Sequence, residues 1–121
     1  MNKVLIFAAL GELGTGLALL IMPSLVGRLL LGEDLAGIAI PVARVAGIAL
    51  IGLGVACWAS PLVGMLTYSV AVMLYLAYLG VVGASTGILL WPAVALHLIL
   101  TVLLTQALAG ERQTKTYRRT P

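Results

Sequence analysis

Four apolar runs, at about 4–22, 35–59, 63–82 and 88–109, fill most of the sequence and are separated by short polar breaks. A helix needs roughly 20 apolar residues to cross a ~30 Å hydrocarbon layer, at about 1.5 Å per residue. An open sheet would leave backbone groups unpaired in lipid, so runs of this length predict helices. Of the 121 residues, 62% are hydrophobic and 9% charged, whereas a soluble domain carries about a quarter charged residues. That balance excludes a soluble enzyme fold. It predicts an all-α, integral membrane four-helix bundle in residues 1–110, followed by a basic cytoplasmic tail in 111–121.

The breaks carry their own signals. Pro23 closes the first run, and Ser24 to Leu31, with Arg28 among apolar residues, predicts a short amphipathic segment lying flat at headgroup level. Asp34 is placed to cap the second span. Pro41 predicts a kink there, or first turns confined to the interface. Ser60-Pro61 reads as a stop, and Gly83-Ala84-Ser85-Thr86-Gly87 as the turn after the third span. Met1-Asn2-Lys3 ahead of Val4 to Leu10 has the start of a secretory signal. Glu12 interrupts the run and apolar character resumes to Met22, which predicts a retained first helix.

The net charge of +3 is to be read by the placement of the charges. Four of the seven basic residues, Arg112, Lys115, Arg118 and Arg119, lie in the last ten positions. A basic segment just beyond a span is a topology signal and a ligand for anionic lipid headgroups, not a nucleic-acid surface. With Lys3 at the other end and an even number of spans, both termini are expected in the cytoplasm, with the chain in the cell's inner (plasma) membrane. Arg28 on the opposite side is offset by Glu33 and Asp34. Trp58 and Tyr68 fall near the inner interface and Trp91 near the outer one, as amphipathic rings do. Cys57 is the single cysteine, so no internal disulfide is expected.

Three ionisable residues fall inside the spans: Glu12, Arg44 and His97. A charge at mid-bilayer costs about 2.5 to 3.5 kcal/mol on insertion scales, so each should turn inward and find a partner. Helical spacing puts Ala8, Glu12, Thr15 and Gly16 on one stripe, and Ala93, His97, Thr101 and Thr105 on another. Tyr68, Ala71, Tyr75 and Tyr78 line a face of the third span. These stripes predict a Glu12–Arg44 ion pair, extended through Tyr75, Tyr78, His97 and Thr101. Two readings stay open: a ligand-binding or proton-relay site, or a structural knot that fixes helix pairing. No serine, cysteine or carboxylate set has the company needed for catalysis. Glu12 with His97 supplies at most two metal ligands, and no cofactor is expected. The glycines at 11, 14, 16, 47, 52 and 54 lie within apolar helices and read as packing positions, not nucleotide loops.

Gly16 through Pro23 at the end of the first span, and Ala43-Arg44-Val45-Ala46-Gly47 with Gly52 and Gly54 in the second, resemble the DoxX-like group of small four-helix bacterial membrane proteins. The resemblance covers the first half of the chain. It implies a single four-helix bundle beside redox or transport machinery, with no established catalytic residues to carry over. The expected function is that of an accessory or helper subunit packing against other membrane helices in a larger complex. The alternative is a small homo-oligomeric transporter or proton-coupled carrier built on Glu12, Arg44 and His97.

Overall fold

Helices make up all the regular structure in the computed structural model, which describes residues 2–84 and 87–120. Five are present among these residues: α1 (Lys3–Ile21), α2 (Pro23–Leu31), α3 (Ala39–Trp58), α4 (Pro61–Val81) and α5 (Leu90–Arg119). Ser85 and Thr86, in the expected third turn, lie outside the described residues. The chain divides into two compact units, 1–64 and 65–121.

In the first unit α1 packs against α3. Asn2 Oδ1 accepts from Val4 N at 2.8 Å, which satisfies one of the first-turn amides that have no partner inside the helix. The two helices run antiparallel, with Gly16 against Gly47 and Ile51, and Ala9 and Leu13 against Gly54. A Cβ on Gly16 would lie 2.6 Å from the Gly47 carbonyl oxygen, and one on Gly47 would lie 2.6 Å from that of Gly16. Backbone therefore meets backbone. Lipid tails are as apolar as leucine, so such close packing is what holds helices together in a membrane.

Between these helices, α2 is stapled to the loop that follows it. Ser24 Oγ donates to the Leu35 carbonyl at 2.9 Å, Gly27 abuts the Leu35 side chain, and Arg28 Nε donates to Asp34 Oδ1 at 2.8 Å. Asp34 thus serves Arg28 and not the expected helix cap. Gly37 turns the chain at φ 59°, a left-handed conformation that suits glycine, and α3 begins at Ala39 instead of near residue 35. Pro41 is the third residue of α3, where an amide has no intrahelical partner to lose. It causes no break.

Ser60-Pro61 proves to be a start as well as a stop. Pro61 opens α4 in the first-turn position that tolerates proline, and Ser60 Oγ accepts from Val63 N at 3.2 Å. Ser60→Ala should lower stability by about 1 kcal/mol, the usual cost of losing such a cap. Unfolding in mixed micelles measures it; Ser60→Asn should restore most of the loss.

In the second unit, a Cβ on Gly80 of α4 would lie 2.7 Å from the Trp91 ring, at the first turn of α5. With 30 residues and about 1.5 Å per residue, α5 is longer than a ~30 Å hydrocarbon layer requires. It continues through Gly110 to Arg119, so the basic segment expected as a tail is a helical extension. Thr114 and Thr116 donate to the carbonyls of Gly110 and Arg112, each at 3.0 Å, anchoring their hydroxyls on the helix itself.

Among the described residues, buried side chains are few: Ala9, Pro23 and Ile48 in the first unit, Ser69, Val72 and Leu79 along α4. Large apolar side chains are exposed instead, Phe7 at 80% and Leu74 at 61%. Water would not tolerate this surface; acyl chains do. Four helices, α1, α3, α4 and α5, are long and apolar enough to cross a membrane. The chain is a small multi-pass membrane protein.

Candidate functional site

Arg44 lies on the second turn of α3 and is half-buried. Its Nε donates to the carbonyl of Leu20 at 3.2 Å, at the end of α1. Glu12, also half-buried, makes no ion pair; among the described residues the one ion pair is Arg28–Asp34. The expected Glu12–Arg44 pair is therefore absent. The cause is register: with Gly16 opposite Gly47, and Leu13 opposite Gly54, the antiparallel helices bring Arg44 level with Leu20. Glu12 is two turns away along α1, about 12 Å. Depth counted from each helix end in isolation does not contain this offset.

In the second unit, His97 Nδ1 lies 2.8 Å from the carbonyl oxygen of Ala93, one turn back on α5. A carbonyl only accepts, so Nδ1 is the donor. The ring stands edge-on to Tyr68, with centroids 5.8 Å apart and planes at 69°. This is the one ring pair among the described residues. Tyr75 and Tyr78 do not join it, and Tyr78 is 60% exposed. Thr101 Oγ1 donates to the His97 carbonyl and Thr105 Oγ1 to that of Thr101, both at 2.7 Å. The polar stripe of α5 is thus largely satisfied by its own backbone, as hydroxyls in apolar helices often are.

Ser69 is a polar group the sequence did not single out. It is fully buried, and its Oγ has no hydrogen-bond partner among the described residues. A lone serine in an apolar run looks like a small packing residue. The available signal was its spacing from Val72, three positions on along the same helix face.

An apolar hollow of about 270 Å³ lies between α1 and α3, lined by Leu10, Leu13, Val55, Trp58 and Ala59. None of the candidate polar residues lines it. Among the described residues no three His, Cys, Asp or Glu side chains gather to hold a metal. Outside the spans, the hydrogen bond and charge of Asp34 raise the Arg28 pKa further above its already high ordinary value, so Arg28 stays protonated throughout the physiological range.

No family model, curated protein or solved structure matches the chain.

The chemistry available is that of separate groups. The first unit holds a carboxyl without an ion-pair partner and a guanidinium bound through one nitrogen. The second holds an imidazole edge-on to a phenol ring.

Proposed function

We propose that the chain is an accessory or helper subunit of a larger membrane complex, and that the face of α1 turned away from α3 is where a partner helix packs. The observation that carries this is Gly11 and Gly14. An added Cβ at either would meet nothing within 4 Å, and neither adopts a positive φ. Glycine inside a helix costs about 1 kcal/mol relative to alanine in water. Gly16, Gly47 and Gly54 recover that cost in close contacts within the first unit, whereas Gly11 and Gly14 have no such contact. With exposed Thr15 they form a small-residue face turned away from α3, the kind of surface on which membrane helices approach one another. The DoxX-like resemblance, both termini in the cytoplasm and a bacterial inner membrane belong to the same reading. So does the basic end of α5 resting on anionic headgroups.

A Gly14→Leu variant tests it. Blue native electrophoresis of membranes from the native host should show wild type in a larger complex and Gly14→Leu as the free chain. The fold should be intact, because residue 14 has open space. Wild type that already migrates alone overturns the proposal.

A second reading, a small homo-oligomeric carrier using Glu12, Arg44 and His97 with Tyr75, Tyr78 and Thr101, draws support from Glu12 itself. A carboxyl in the middle of α1 with no ion-pair partner is costly unless it has a task. Solute or proton uptake by reconstituted vesicles should then differ between wild type and a Glu12→Ala, His97→Ala double variant; identical traces remove the carrier reading.

A further inference from the structure

We infer that Arg44 binds the two non-bridging oxygens of a phosphate ester through the terminal amino groups of its guanidinium, and that the ligand is the headgroup of a bilayer lipid. The one bond the side chain makes among the described residues is from Nε to the Leu20 carbonyl. That bond fixes the plane of the guanidinium and leaves its terminal fork free. A guanidinium near the end of an apolar span reaches toward the interface and an anion there. Every acid in the first unit is spoken for or out of place: Asp34 is held by Arg28 at 2.8 Å, Glu12 is two turns away along α1, and Glu33 is exposed and makes no ion pair.

The level is that of lipid phosphates. Leu20 is next to the last residue of α1 and Arg44 lies on the second turn of α3, so both sit at the end of the helix pair where α2 begins. There α2 exposes Leu29, Leu30 and Leu31 at 77, 76 and 75%. With exposed Arg28 paired to Asp34 of the following loop, it has the character of a helix lying at the boundary between acyl chains and headgroups. A planar fork of donors matches two oxygens of a phosphate group, which an ammonium does not.

Native mass spectrometry of the purified chain in detergent tests this. Phosphatidylethanolamine carries the phosphodiester without net charge, so the basic end of α5 does not draw it, and diacylglycerol with the same acyl chains lacks the phosphate. Wild type should retain the phospholipid about tenfold better than the diacylglycerol, and Arg44→Gln should remove that preference. Arg44→Lys keeps the charge and loses the fork; it should fold as wild type, by circular dichroism, and lose at least about threefold in phospholipid adduct. Inorganic phosphate, added to lipid-stripped protein and followed by phosphorus NMR, separates the sources. Broadening that depends on Arg44 while no phospholipid adduct is retained overturns the lipid as the ligand and leaves a site for a free phosphate ion. Phospholipid adducts equal in wild type, Arg44→Gln and Arg44→Lys overturn the inference.

Discussion

Gly47→Val should break the α1–α3 pair and unfold residues 1–64 of the chain. The new Cβ would lie 2.6 Å from the Gly16 carbonyl oxygen and 3.0 Å from both the Leu19 Cβ and the Leu20 amide nitrogen. Two of these are backbone atoms, which cannot rotate away as the end of a side chain can. Overpacking in a core costs about 1–3 kcal/mol when side chains can adjust; here the helices themselves have to separate, so at least about 3 kcal/mol is expected. Separation also withdraws Leu20 from Arg44, removing the one hydrogen bond that the guanidinium makes. Unfolding in mixed micelles, with Gly11→Ala as the control in open space, measures the difference. The control should be neutral or slightly stabilising, since alanine is the better helix former. A Gly47→Val protein as stable as wild type would mean that the two backbones do not touch.

The same contact explains what the sequence disclosed and what it withheld. Span existence rests on hydropathy alone, so α1, α3, α4 and α5 were legible from composition. The glycines at 16, 47 and 54 were legible as packing positions because lipid gives helices no other strong reason to associate. The start of α3 was not, because Asp34 had two possible partners, a helix terminus and Arg28, and only the fold of the intervening loop decides between them. Nor was the end of α5. Polar residues mark where lipid stops, but helix propensity carries the backbone on through Glu111, Arg112 and Lys115. The candidate site was the least legible part. A stripe on one helix gives direction, and pairing Glu12 with Arg44 also needs the axial offset between two helices. His97 was singled out as needing a partner on a neighbouring helix; its donor is satisfied one turn back on its own helix, a solution that inward-facing logic overlooks.

That axial offset gives the second large prediction its sign. Glu12→Leu should improve membrane insertion and stability by about 2–3 kcal/mol, the gap on insertion scales between a charged residue at the centre of a helix and leucine, reduced for partial burial. Glu12 stands at the midpoint of α1, which runs from Lys3 to Ile21. It makes no ion pair, so its removal strands no opposite charge. Had Glu12 neutralised Arg44, the same substitution would leave an uncompensated guanidinium in the span and would destabilise the chain. Glycosylation mapping of α1 insertion in the full-length protein, together with unfolding in mixed micelles, reads both outcomes. A gain identifies Glu12 as a group retained against stability, which is the pattern of functional residues. A loss that Arg44→Leu rescues would instead establish the ion pair and with it a different helix register. Glu12→Gln distinguishes charge from shape: a gain approaching that of Glu12→Leu would assign the penalty to ionisation, and no gain would assign it to the polar group as such.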